Sequence, residues 1–123
     1  MYFNYKGAWS GGHTVIGAAF TMDMLIFAEG YTGPGFEEYL CLMNPNTAPV
    51  DVTIVFMFTD GSTQSLPFTI GTNTRTTIYV NDAVGPNREV SSVAIASDYI
   101  LAERPMYFNY KGAWDGGHDV IGW

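Results

Sequence analysis

The segment VDVTIVFMF, residues 50–58, decides the fold class of this chain. Its even-numbered positions are all apolar and alternate with Thr53, Val55 and Met57, which is the two-residue period of a β-strand. Because both faces are apolar, we predict a central strand that is covered on both sides or lies near a subunit contact. The following TDGS, residues 59–62, is an Asp-Gly hairpin signal. Pro67 in the returning strand predicts an edge position or a bulge.

Short runs rich in Val, Ile, Thr, Tyr and Phe continue on both sides of this hairpin, separated by Gly, Pro, Asn and Asp. No run has the apolar stripe and capping residues of a helix. About eight strands with regular turn signals indicate an all-β protein, an antiparallel immunoglobulin-like β-sandwich of about seven to nine strands. The alternative architecture for these strands is a β-barrel. Pro105, inside the long run DYILAERPMYFNY, predicts a bend or a switch between sheets.

The chain carries nearly the same 18-residue segment twice. MYFNYKGAWSGGHTVIGA begins at Met1, and MYFNYKGAWDGGHDVIGW begins 105 residues later at Met106. The copies agree at 15 of 18 positions, and they differ only at Ser10/Asp115, Thr14/Asp119 and Ala18/Trp123. Chance does not produce such a match, so the repeat is the most informative feature of the sequence.

The first copy is a surplus strand, because a sandwich ending with the second copy is already complete. We therefore divide the chain into a repeat-overlap segment, residues 1–18, and a β-sandwich repeat domain, residues 19–123. The first copy could fill an edge of the same sandwich, close a preceding repeat, or insert into a neighbouring subunit. The predicted assembly interface consists of the apolar and aromatic residues of both copies: Met1, Tyr2, Phe3, Tyr5, Trp9, Met106, Tyr107, Phe108, Tyr110 and Trp114.

Four motifs in order, FAEGYTGPGFEEYLCLMNPN, VTIVFMFTDG, TRTTIYVND and ILAERPMYFNYKGAW, carry a family resemblance. Over residues 26–121 the chain resembles immunoglobulin-like β-sandwich repeats that occur in tandem in large secreted or surface proteins of bacteria. The resemblance implies a structural or adhesive module at the cell surface or outside the cell, and it supplies no catalytic motif. The apolar AAFTMDML before IFAEG departs from the usual polar linker of such arrays.

Charge and hydropathy exclude several classes of partner. The net charge is −7, and the five basic residues are scattered, which argues against nucleic-acid binding and against adhesion to anionic membranes. No apolar run approaches the length of a membrane helix, and no signal peptide is recognisable. Because Met1 is the repeat partner of the internal Met106, we expect the chain to be cut from a longer precursor.

Candidate chemistry in the sequence is weak. Asp115, His118 and Asp119 resemble a partial metal site in a Gly-rich loop, yet no zinc motif accompanies them. Glu29, Glu37 and Glu38 would serve glycoside hydrolysis only if a cleft held them around a substrate. We therefore predict a chain that is not an enzyme and has no cofactor or resident metal. Cys41, the only cysteine, is predicted to be an inert buried thiol.

Two functions remain from the sequence. The favoured one is a structural module of an extracellular fibre or cell-surface repeat array, whose partner is a copy of itself. The alternative is a carbohydrate-binding module, because aromatic side chains stack on sugars and several are candidates for exposure: Tyr2, Trp9, Tyr31, Phe36, Tyr107 and Trp114.

Overall fold

A computed structural model describes all 123 residues and contains nine strands and one short helix. The elements are β1 Tyr2–Tyr5, β2 Trp9–Gly12, β3 Met22–Phe27, β4 Phe36–Asn44, β5 Val50–Phe58, β6 Thr63–Ile70, β7 Thr74–Tyr79, α1 Val80–Val84, β8 Val90–Tyr110 and β9 Trp114–Ile121. Every strand pairing is antiparallel. The predicted all-β, antiparallel sandwich is confirmed.

Strands β3–β9 form one curled sheet whose two halves face each other, joined by the long strand β8. The first half-sheet contains β6, β5, the first part of β8 and β3. The second half-sheet contains β7, β4, the last part of β8 and β9. Strands β1 and β2 form a separate two-stranded hairpin.

Strand β8 passes from one half-sheet to the other between Ala96, its last partner of β5, and Leu101, its first partner of β4. The prediction that Pro105 marks this switch is wrong. Pro105 lies opposite Asp119 in a ladder with β9 whose register does not shift. Strand β8 continues through Pro105, while its pairing with β4 is interrupted at Arg104 and Pro105, as the missing N–H of proline leads one to expect.

The core lies between the half-sheets and consists of 15 buried residues, among them Leu25, Leu40, Ile54, Phe56 and Ile100. These side chains come from alternate positions of their strands, as expected when one face of each strand is buried. Burial of such side chains is the main source of stability for the fold.

The hairpin predicted at residues 59–62 is confirmed, because β5 and β6 pair on either side of it. Strand β5 lies between β6 and β8, and Pro67 is in β6, which pairs only with β5 and is an edge strand. The prediction for Cys41 is wrong. Its side chain points away from the core, opposite to Leu40 and Leu42, and is partly exposed.

The single helix, α1, has five residues. No helix of the chain has the length and apolar character required to cross a membrane.

Candidate functional site

Both copies of the repeated segment fold as the same β-hairpin. Hairpin 1 consists of β1 and β2, and hairpin 2 consists of the end of β8 and β9. Lys6 and Gly7 have φ values of 53° and 70°, and the equivalent Lys111 and Gly112 have 55° and 68°. Two consecutive positive φ values match the type I′ turns that favour hairpins. The local sequence therefore dictates the hairpin in both places.

The two hairpins differ in what they cover. Hairpin 2 is a part of the second half-sheet, whereas hairpin 1 lies on the outer face of that half-sheet, away from the core. Tyr107 of hairpin 2 is the centre of the contact. Its ring packs edge-on against Phe3 and stacks parallel to Tyr5, with ring centroids 4.9 Å apart in both pairs. The first copy is thus bound to the second copy.

Glu37, at the start of β4, anchors the tip of hairpin 1. Its carboxylate accepts hydrogen bonds from the Tyr5 hydroxyl and from the Tyr39 hydroxyl, the latter at 3.0 Å. Lys6 Nζ donates to Glu37 Oε1 at 2.6 Å. Burial alone would raise the pKa of Glu37, but the hydrogen bonds from Lys6, Tyr5 and Tyr39 lower it below its ordinary value. Burial and the bond to Glu37 raise the pKa of Tyr5 to about 12.

Glycines allow the two hairpins to approach closely. A Cβ atom added to Gly11 would lie 3.1 Å from the Cα of its counterpart Gly116. A Cβ atom added to Gly117 would lie 2.9 Å from the ring of Phe3. Side chains at these positions would push hairpin 1 away from the sheet, so the GG pairs of the repeat serve the contact between its copies.

Two polar side chains at this contact lack partners. Both ring nitrogens of His13 and Oδ1 of Asp119 are buried without a hydrogen bond. Burial, together with the charge of Glu103, raises the pKa of Asp119. The contact therefore has one well-satisfied polar anchor at Glu37 and one unsatisfied end at His13.

The inner face of hairpin 2 borders an open cleft of about 630 Å³ at one end of the sandwich. Phe108 stacks on Phe36 at 5.5 Å in its wall, and Tyr110 stacks on Trp114 at 6.0 Å at its rim. His118 also borders the cleft. Burial and the neighbouring Arg104 charge lower the pKa of His118.

Two buried charged residues lie on the same inner face. Glu38 and Arg104 are only 1% and 2% exposed. Burial raises the pKa of Glu38 to about 7, although the charge of Arg104 opposes the shift. Arg104 Nη2 lies 4.0 Å from Glu29 Oε2, while its Nε and Nη1 have no hydrogen-bond partner. Keeping Glu38 and Arg104 out of water with incomplete hydrogen bonding costs free energy. The two side chains do not surround a position where a substrate could react.

The candidate metal ligands do not converge. The GGHD segment is part of strand β9 and not a loop. Alternation along β9 places His118 on the inner face with Met106, while Asp119 lies on the outer face with Pro105. Asp115 accepts a hydrogen bond from Asn109. No group of three potential ligands is present.

The three candidate acidic residues also point in different directions. Glu37 and Glu38 are consecutive in β4, so they point to opposite faces of the sheet. Glu37 binds hairpin 1, and Glu38 is buried beside Gly30. Glu29 is exposed. These three carboxylates do not flank a common substrate position.

The predicted interface residues fall into three groups. Phe3, Tyr5 and Tyr107 meet in the contact between the hairpins, and Trp9 packs beside Tyr5 with 5.8 Å between ring centroids. Met106 is buried and Phe108 packs on Phe36, so these two serve the sandwich itself. The remaining four side chains are exposed: Met1, Tyr2, Tyr110 and Trp114.

Comparisons with known proteins show the fold alone. No family model and no curated protein matches the chain. Thermotoga maritima 1070 superposes with a TM-score of 0.77 at 17% identity, over 84% of this chain and 94% of that chain. The Anabaena sensory rhodopsin transducer superposes with a TM-score of 0.63 at 19% identity, over 72% of this chain and 99% of that chain. Identities this low identify related architectures and no shared activity.

Sequence reasoning missed Glu37 and Tyr39 as the receptor for hairpin 1. Their positions in β4 gave one signal: alternation puts both on the face opposite to Leu40 and Leu42. A carboxylate and a tyrosine on a solvent face are ordinary, so only the structure identifies their partner.

Proposed function

We propose that this chain is a structural module that joins copies of itself into an extracellular fibre or a cell-surface repeat array. The observation that carries the proposal is the seating of hairpin 1 on the outer face of the second half-sheet. The extracellular setting rests on the resemblance to tandem surface repeats described above.

The contact does not depend on which molecule supplies hairpin 1. Hairpin 1 is held by side-chain contacts with Glu37, Tyr39 and Tyr107, and it is joined to β3 through residues 13–21, which form no strand or helix. Nine extended residues span about 30 Å, enough to carry the hairpin to an adjacent molecule. The same contacts would then form between subunits, as in domain swapping.

Such an exchange builds linear assemblies of many molecules and not closed dimers. Hairpin 1 presents its Phe3 and Tyr5 side, and it binds a different surface, centred on Tyr107. A head-to-tail contact of this kind propagates unless a rotation closes it into a ring. Tyr2, the counterpart of Tyr107, is 96% exposed, so hairpin 1 keeps its own outer face free.

The other form of the same function is a covalent array, in which one repeat follows another along a single chain. In a preceding repeat, Phe3 and Tyr5 would take the places that Phe108 and Tyr110 take here, facing the cleft of that repeat. In this chain they face Tyr107 instead. A repeat before Met1 would therefore compete with the sheet for the same side of hairpin 1.

Light scattering on the intact chain and on a chain lacking residues 1–18 tests the donated-hairpin form. We expect species larger than a dimer only for the intact chain.

Mixing two variants is more specific: Glu37→Ala removes the anchor, and Tyr5→Ala weakens the donated hairpin. Each variant alone should form no long assemblies by hairpin exchange. Their mixture should form a two-molecule complex, because the intact hairpin 1 of Glu37→Ala can bind the intact receptor of Tyr5→Ala. An intact chain and a deleted chain with the same masses would contradict the donated-hairpin form.

A carbohydrate-binding role is the second candidate, favoured by one observation. Trp114 and Tyr110 stack on each other and are 61% and 43% exposed beside the cleft. Exposed aromatic rings next to carboxylates such as Glu29 and Glu89 suit the stacking and hydrogen bonding of sugars. Polysaccharide-array binding that disappears in Trp114→Ala but persists in Trp9→Ala would support this role. An absence of binding by the intact chain would rule it out.

A further inference from the structure

We propose that the outer face of the first half-sheet binds the same face of a second copy of this chain, as a two-fold dimer separate from hairpin 1. This surface, the first-sheet face, is formed by the outward side chains of β3, the first part of β8, β5 and β6. The proposal concerns a different contact from the hairpin exchange proposed above, and it stands without it.

Strand register places the apolar side chains of this face side by side. Met24 lies opposite Ile95, and Ile26 lies opposite Val93, which in turn lies opposite Val55. Met24, Ile26 and Ile95 are 48%, 48% and 44% exposed. The face is therefore a continuous apolar surface across three neighbouring strands and not a set of isolated side chains.

Trp123 extends this surface beyond β3. Its backbone exchanges two hydrogen bonds with Ile26, at 2.6 and 3.3 Å, so the two residues are directly opposed and point to the same side. Trp123 is 80% exposed. The equivalent position of the first repeat copy is Ala18, so the tryptophan belongs to the copy that contributes to this face.

The other outer face of the sandwich is already occupied. Hairpin 1 covers the region of Glu37 and Tyr107, and residues 18–21 border a hollow formed with Met43, Tyr99 and Leu101. No segment of the chain covers the first-sheet face in this way. The protein thus protects one outer apolar face internally and leaves the other for an intermolecular contact.

Charge favours a second copy as the occupant. Strand β6 and residues 90–97 of β8 contain no ionisable side chain, Asp51 of β5 accepts a hydrogen bond from Thr69, and the exposed Asp23 lies near the start of β3. A chain of net charge −7 repels its copies, and a face with few charges is where two copies meet with the least repulsion. A two-fold axis that makes the strands of the two copies antiparallel also places their Asp51 residues at opposite ends of the contact.

The size of the face is consistent with a concentration-dependent dimer. Four strands spaced by about 4.8 Å and about 20–30 Å long give roughly 500 Å² per copy. The total of roughly 1,000 Å² is at the lower limit for a specific interface. Two such sheets would pack face to face as in an aligned β-sandwich.

Sedimentation velocity of the intact chain over a wide concentration range tests the proposal. We expect Ile95→Lys to weaken dimerisation at least about tenfold, because it would bury an unpaired charge in the contact. Ile16→Lys is the matched control, since it makes the same change at a residue 89% exposed outside the face. Ile26→Lys provides a second test if Ile95→Lys does not fold, as judged by its melting transition.

A double variant, Tyr5→Ala with Glu37→Ala, separates this contact from hairpin exchange. A dimer that persists in the double variant and is lost in Ile95→Lys supports the proposal. Equal dimerisation by Ile95→Lys and Ile16→Lys would overturn it, as would an intact chain that stays monomeric at every concentration. Association that is lost only in the double variant would also overturn it, while it would support the exchange of hairpin 1.

Discussion

Gly11 and Gly116 occupy the same position in the two copies of the repeat, and a Cβ atom on Gly11 would lie 3.1 Å from the Cα of Gly116. The obstacle is backbone, which cannot rotate away, and the Phe3 ring would be equally close at 3.0 Å. The repeated segment therefore packs against itself through its glycines.

Gly11→Ala should consequently release hairpin 1 without disturbing the sandwich. We expect faster hydrogen exchange at Phe3 and Tyr5, and little change in the main thermal transition, because the core of the half-sheets is untouched. Gly17→Ala is the control, since a Cβ atom there has no neighbour within 4 Å. Unchanged exchange rates in Gly11→Ala would show that hairpin 1 is not seated as described.

The anchor at Glu37 gives a prediction for both a mutation and pH. Glu37→Gln removes the charge that accepts hydrogen bonds from Lys6 and Tyr5, so hairpin 1 should be held less firmly against the sheet. Because the folded-state pKa of Glu37 is lowered, its stabilising contribution is present above the ordinary value of 4.5 and is lost as the pH falls through the folded pKa.

Hydrogen exchange of hairpin 1 measures this effect directly. In the natural chain, protection of hairpin 1 should decrease on acidification below pH 4.5, while Glu37→Gln should lack protection at neutral pH already. Glu103→Gln is the control, because Glu103 lies in β8 without a hydrogen bond to hairpin 1. Equal protection in both variants would mean that the anchor contributes little.

The sequence predicts the fold well because alternation and turn chemistry are local. The apolar period of residues 50–58, the Asp-Gly turn and the edge position of Pro67 each follow from neighbouring residues. Alternation in β4 also contained the correct position of Cys41, opposite to Leu40 and Leu42. The prediction of a buried thiol is wrong because the alternation of the strand outweighs the general preference of cysteine for burial.

The site was less predictable because its contacts join distant residues. Tyr5 and Glu37 are 32 positions apart, and no periodicity specifies which sheet face an extra hairpin covers. Because glycine disfavours strands, the GGHD segment predicts a loop. In the structure, Gly117 lies where a side chain would strike Phe3, so the feature that suggested a loop is what allows close packing.

Asn44, fully buried at the end of β4, should be a stability determinant. Its Nδ2 donates to the carbonyls of Ala48, Ile70 and Gly71, and its Oδ1 accepts from the Asn46 amide. Asn44→Ala would leave buried carbonyls unpaired and should cost about 2–4 kcal/mol in the free energy of unfolding.

Urea denaturation followed by circular dichroism checks this cost, with an unchanged slope indicating that the unfolded state is not altered. Asn46→Ala is the control, because the side chain of Asn46 makes an exposed hydrogen bond to Tyr99. Similar midpoints for Asn44→Ala and Asn46→Ala would contradict the assigned role of Asn44.

Glu38 should make the protein less stable as the pH rises from about 4.5 to about 7. The folded chain holds the Glu38 proton up to about pH 7, whereas the unfolded chain releases it near 4.5. Within this window the unfolded state binds fewer protons, so the free energy of unfolding falls, by an amount on the order of 2–3 kcal/mol.

Glu38→Gln cannot titrate, so the difference in unfolding free energy between the natural chain and this variant should fall across the window and be flat above pH 7. Glu29→Gln, a change at an exposed side chain, should leave the pH profile of the natural chain unchanged. A constant difference between the natural chain and Glu38→Gln from pH 5 to 8 would contradict this prediction, because it would show that Glu38 is ionised in the folded state across that range.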